Sequence, residues 1–111
     1  MEIDPGVFVS NVETDEWTFD AETGGEMHVL YEGEDGYAGL TRFLTKSEVE
    51  LTIAERECFL VLEGAARIEI RGGPVLAVGT GEMASIPKGA ETRWHLTLPY
   101  KEMWFFPRAY E

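Results

Sequence analysis

"ERECFLVLEGAARIEI", residues 55–70, is the stretch on which the fold turns. Residues 58–62 are all apolar, the pattern of a strand covered on both faces. Beyond Gly64 the chain alternates, with Ala66, Ile68 and Ile70 on one face and Arg67, Glu69 and Arg71 on the other. Glu57 stands at the head of the apolar run. An extended backbone points Glu57, Phe59 and Val61 the same way, so a carboxylate heads a greasy row.

The same texture continues outward. In "EVELTI" (48–53), Val49, Leu51 and Ile53 share a face opposite Glu50 and Thr52. "YAGLTRF" (37–43), "VLAV" (75–78), "MASI" (83–86), "ETRWHLTL" (91–98) and "KEMWFF" (101–106) are further strand segments. Turn signals fall between them at Gly64, "RGGP" (71–74), "GTGE" (79–82), "PKG" (87–89) and Pro99. No stretch keeps a helical period over about ten residues. Seven or eight short strands with tight turns predict an all-β sandwich or small barrel. Residues 1–36 are acidic and turn-rich, and read as an arm with one or two short strands that packs on the barrel or on a second subunit. Residues 37–111 form the barrel. No linker or repeat interrupts the chain, so one domain is expected.

Composition removes several functions. The 111 residues fit one domain with a modest core. Nine basic against twenty-one acidic residues give a net charge of −12, which repels nucleic acid and anionic lipid. The apolar runs are too short to span a bilayer. The opening "MEIDPGVFVS" has no basic segment leading into an apolar one, so no secretory signal is visible and a cytoplasmic location is expected. Cys58 is the single cysteine; it can form no internal disulfide and reads as a small hydrophobe. Ser10, Ser47 and Ser85 have no recognisable His/Asp partners, and the glycine pairs read as hairpin turns rather than a phosphate cradle.

A candidate pocket follows from alternation. In "ETRWHLTL", Thr92, Trp94, Leu96 and Leu98 share the inward face, opposite Glu91, Arg93, His95 and Thr97. If this strand and the Glu57 strand line one cavity, Glu57, Phe59, Thr92 and Trp94 meet there, joined by Leu51 and Ile53. A carboxylate beside an indole suits a cation or an amine-bearing ligand.

"ECFLVLEG", "VLAVGTGEMASIPKGAETRW" and "YKEMWFF", with "GGEMHVLYEG" and "GLTRF" upstream, resemble a cupin over roughly residues 24–107. The resemblance is to the small single-domain group that includes ethanolamine-utilisation cupins and the ureidoglycine aminohydrolase cupin domain. It implies a double-stranded β-helix, or jelly roll, and a homodimer with an exchanged N-terminal strand. It also implies either small-molecule binding or small-molecule metabolic chemistry of the aminohydrolase or isomerase kind. Active cupins hold a divalent metal with three histidines and a glutamate. Glu57 matches that glutamate, but the histidine positions fall at about Leu51 and Ile53 and at Thr92. One carboxylate with a hydroxyl makes no tight transition-metal site, so neither metal nor other cofactor is expected. A rearranged site of Glu57, His28 and His95 is the metal-bearing alternative.

Glu57 therefore has two readings. It is a pocket carboxylate that binds a polar or cationic ligand or works as an acid/base, with Arg42 and Lys101 setting the charge of the site. Otherwise it is the buried partner of Arg42 or Lys101, each of which lies among apolar neighbours. A barrel filled by its own side chains, in a non-catalytic structural dimer, is the remaining possibility.

Overall fold

The structure is a computed structural model that describes residues 1–107; residues 108–111, the end of the expected barrel segment, lie outside the described residues. Ten strands follow one another: β1 (Glu2–Asp4), β2 (Val7–Phe8), β3 (Thr18–Phe19), β4 (Glu26–Gly33), β5 (Gly36–Phe43), β6 (Glu48–Thr52), β7 (Glu57–Ile70), β8 (Val75–Gly79), β9 (Met83–Ile86) and β10 (Glu91–Pro107). No helix of the described residues is long and apolar enough to cross a membrane. β1 and β2 form a separate hairpin. The rest run in the order β3-β4-β5-β10-β7-β8, with β6 also on β10 and β9 also on β7.

The architecture rests on β7 and β10. They pair antiparallel from Thr92↔Ile70 to Phe105↔Cys58. Each then serves two neighbours in succession. β10 takes β6 along 91–95 and β5 along 100–107, and β7 takes β9 along 57–60 and β8 along 65–69. Two strands that change partners halfway along close the double-stranded β-helix. The change happens where the register shifts between Thr97 and Lys101, opposite Gly64. Gly64 has φ +77°, and a Cβ there would run into the Thr97 carbonyl and come within 2.6 Å of the Pro99 carbonyl. The sequence reading placed turns at Gly64 and Pro99. The chain bends there instead without leaving the sheet, because glycine at positive φ kinks a strand while its neighbours keep their pairing.

The expected arm divides differently too. Only β1 and β2 lie apart; β3 and β4 belong to the main sheet, and β4 pairs with β5 across the 36/37 boundary from Glu32↔Tyr37 to Glu26↔Arg42.

Alternation sets the core. The inward row of β7 (Phe59, Val61, Ala66 and Ile68) meets Trp94, Leu96, Tyr100 and Trp104 of β10, with Ile86 and Val49 closing the ends. The outer row of β7 corrects an expectation. Cys58, Leu60 and Leu62 are only half-buried, beside exposed Phe105 and Met83, so one chain does not cover both faces of the apolar run.

Candidate functional site

A cavity of about 260 Å³ lies inside the barrel. β7 gives it Glu57, β6 gives Leu51, and Ile53 follows directly. From the inward row of β10 come Trp94, Glu102 and Trp104, while β4 and β5 contribute Met27, Tyr37, Thr41 and Phe43. Asp20, Glu22 and Thr23, from the loop between β3 and β4, complete the lining with Glu55. Glu22 and Glu55 are exposed and mark the rim. The described lining residues include five carboxylic side chains and no Lys, Arg or His.

The rim loop is a locally organised turn. The Asp20 carboxylate accepts the Glu22 N–H at 3.1 Å and the Thr23 hydroxyl at 2.8 Å. The Asp20 N–H reaches the Gly25 carbonyl, and the Gly24 N–H returns to the Asp20 carbonyl, both at 2.8 Å. The Lys46 ammonium donates to the Thr23 carbonyl at 2.8 Å and fixes the loop to the segment after β5.

Inside, Glu57 is 7% exposed and Glu102 5%. The Tyr100 hydroxyl donates to Glu102 Oε1 at 2.6 Å. Burial, then the Glu57 charge, push the Glu102 carboxyl up to about 8, against the pull of the Tyr100 bond. Burial, then the Glu22 charge, push Glu57 up to about 7. The Tyr100 phenol is also driven up, by burial and then by the Glu102 charge. Among the described residues, no cation and no amide or hydroxyl donor is bonded to the Glu57 carboxyl. Among the described residues every fully enclosed side-chain polar atom has a partner, so the Glu57 oxygens are ones that the cavity space reaches.

The expected site residues separate into those at the cavity and those elsewhere. Glu57, Trp94, Leu51 and Ile53 line it together. Phe59 lies behind, its ring 5.1 Å from the Trp94 ring. Thr92 is buried but spent: its hydroxyl donates to the Leu51 carbonyl at 2.6 Å and accepts Trp94 Nε1–H at 2.8 Å, so it holds the indole in place. Arg42 and Lys101 do not set the charge of the cavity. Arg42 pairs with Glu26 at 2.9 Å and stacks 4.3 Å from the Trp17 ring, while Lys101 donates to the Val12 carbonyl at 2.9 Å. Both sit on the outward rows, facing each other across the β5–β10 register. The ion-pair reading of Glu57 therefore loses both of its candidate partners.

The histidines do not converge on Glu57 either. His28 is held between the Ser10 hydroxyl at 2.7 Å and the Glu16 carbonyl at 2.9 Å. His95, on the outward face of β10, lies 2.7 Å from Glu69 and 3.3 Å from Glu48. Among the described residues, no group of three or more His, Cys, Asp or Glu side chains is placed to hold a metal ion. The donor set does not fit the metal centre of active cupins: Leu51 and Ile53 offer no donor, and both functions of the Thr92 hydroxyl are committed.

Glu102 is the residue that the sequence reading missed. The signal was its parity with Trp94 and Trp104, all even-numbered on one strand, hidden by Pro99 in between and by Lys101 drawing attention as the charge of that segment.

Residues 42–108 match the family model of the EutQ-like cupin domain. No curated protein matches the chain. Among solved structures, a putative ethanolamine utilization protein Q from Salmonella typhimurium LT2 superposes with a TM-score of 0.67 at 19% identity, over 78% of this chain and 72% of that one. A cupin-2 domain containing protein from Shewanella frigidimarina is 31% identical, with a TM-score of 0.61 over 74% of this chain and 79% of that one. KdgF from a Halomonas species reaches a TM-score of 0.69 at 21% identity, over 94% of this chain and 96% of that one. The bent strand pair, the antiparallel strand order and a family match over more than half of the sequence lead to one conclusion: the chain belongs to the EutQ-like cupin domain family, within the cupin superfamily.

Proposed function

We propose that the chain binds a small organic molecule inside its barrel, without a bound transition metal, and that Glu57 anchors the ligand. One observation carries this reading: a carboxyl that is 7% exposed faces an aromatic-lined cavity and has no cation or donor beside it among the described residues. Buried polar groups are normally satisfied, so an unpartnered one turned into open space marks a place for a partner. At about 260 Å³ the cavity is just under the roughly 300–1,000 Å³ of drug-sized pockets, which suits a small metabolite.

A second reading has support from the carboxyl pair itself. Two acids that titrate near neutrality can give and take a proton, which is the requirement for acid/base catalysis in a metabolic enzyme. One structural neighbour is a putative mannose-6-phosphate isomerase from Ralstonia eutropha. The acidic lining of the present cavity disfavours an anionic sugar phosphate as its own substrate. The half-covered outer row of β7, with Phe105 and Met83 exposed beside it, supports a homodimer.

A thermal-shift screen of metabolites against wild type and Glu57→Gln tests the binding reading. At least one compound is expected to raise the wild-type Tm and to raise that of Glu57→Gln far less. A screen in which nothing stabilises the wild type removes the ligand and leaves the barrel as a structural module.

A further inference from the structure

We infer that the barrel takes an organic cation, an amine or quaternary ammonium compound, with its charge at Glu57 and Glu102 and its carbon skeleton against Trp94 and Trp104, and that it does so in exchange for a proton. This rests on the small-molecule reading above and specifies the ligand.

Among the described residues the charge of the site is of one sign. Glu57 and Glu102 lie inside, with Asp20, Glu22 and Glu55 towards the rim. The nearby cations are committed outside: Arg42 to Glu26, Lys46 to the Thr23 carbonyl and Lys101 to the Val12 carbonyl. An anion would bring further negative charge to two buried carboxyls, and a neutral molecule would leave Glu57 without a counter-charge. A cation supplies what is missing.

The walls select an organic ion. Trp94 Nε1–H is bound to the Thr92 hydroxyl and Trp104 Nε1–H to the Thr41 hydroxyl, each at 2.8 Å. With their polar edges committed, the indoles offer the cavity carbon surface, which attracts alkylammonium groups. A transition metal would want three or more donors, and no such group is placed for it among the described residues.

The proton follows from the surroundings of the pair. Among the described residues, the titratable groups around it are Asp20 and Glu22 from the loop, Glu55 before β7, Tyr37 on β5 and Tyr100 on β10; every one is an acid, and none supplies positive charge. Burial, with the Glu22 charge on Glu57 and the Glu57 charge on Glu102, keeps a proton on the pair at neutral pH. An arriving cation makes that proton unnecessary, and it leaves to solvent: protonated protein plus cation gives complex plus H⁺. Affinity therefore rises with pH until the pair is ionised without help.

Isothermal titration calorimetry on the full chain decides the matter. Isoamylamine, isoamyl alcohol and isovalerate share a carbon skeleton and differ in charge. Tetramethylammonium carries no proton of its own, so any pH dependence of its binding belongs to the protein. Isoamylamine is expected to bind at least about tenfold more tightly than the alcohol at neutral pH. Tetramethylammonium is expected to bind several-fold more tightly at about pH 8.5 than at about pH 6, with a buffer-dependent heat that reports proton release. Glu57→Gln and Glu102→Gln, checked for folding by circular dichroism, should each weaken both cations about tenfold and flatten the pH dependence. If the alcohol or isovalerate binds as well as the amine, and Trp94→Leu abolishes that binding, the cation assignment is overturned while the barrel keeps its ligand. Cation binding that is indifferent to pH overturns the proton exchange. Failure of all four compounds overturns the cation assignment, and the metabolite screen then decides separately whether the barrel binds anything.

Discussion

A carboxyl almost wholly buried without a counter-charge makes folding harder whenever it ionises. Glu57 and Glu102 both ionise later in the folded chain than in the unfolded one, where the ordinary value is 4.5. Between that value and about 7 to 8 the folded state holds more protons than the unfolded state. Stability attributable to the pair therefore falls as pH rises through this window and levels off above it. Urea denaturation across the window should show wild type losing a few kcal/mol, and Glu57→Gln should give a visibly flatter profile. A wild-type curve that rises through the same range would contradict the buried pair. At this scale the sequence was half legible. Alternation from Phe59 and Val61 fixed the inward side of Glu57. The same rule applied to β10 places Glu102 beside Trp104, but two adjacent charges, Lys101 and Glu102, look alike until the strand's parity is carried across Pro99.

Four of the ten strands, β5, β6, β8 and β9, lie close to the segments that alternation and turn residues marked; the two long ones do not end where those marks suggested. Gly64 and Pro99 carry turn chemistry, yet β7 and β10 run through them, because pairing on both sides holds the backbone in the sheet while it bends. Whether a glycine ends a strand or kinks it depends on partners distant in sequence, which no local pattern records. The same limit hid the share that residues 20–27 take in the cavity, since pairing with β5 is what carries them there. Gly64→Ala tests the bend: a side chain at positive φ, pressed against the Thr97 and Pro99 carbonyls, should cost about 2 kcal/mol or more. Thermal unfolding measures it, and an unchanged Tm would show that the bend tolerates a Cβ.

As a whole the molecule carries twelve more acids than bases, and several of its basic groups sit in outward ion pairs such as Arg71–Glu91 at 3.1 Å and Arg93–Glu50. Exposed pairs of this kind contribute little, whereas unbalanced charge of one sign opposes compaction. Added sodium chloride should therefore raise the Tm by a few degrees between low salt and about 0.3 M, by screening that repulsion. A falling Tm would mean that the surface pairs dominate. The 20–25 loop, closed on itself through Asp20 and tethered by Lys46, frames the aperture of the barrel, and it is a local fold rather than part of the barrel wall. Admission and retention are thus built from separate pieces of chain. Exchanging those six residues would retune which solutes get in and leave Glu102, Trp94 and Trp104 in place, while the loss of Glu22 would also lift the charge it lays on Glu57.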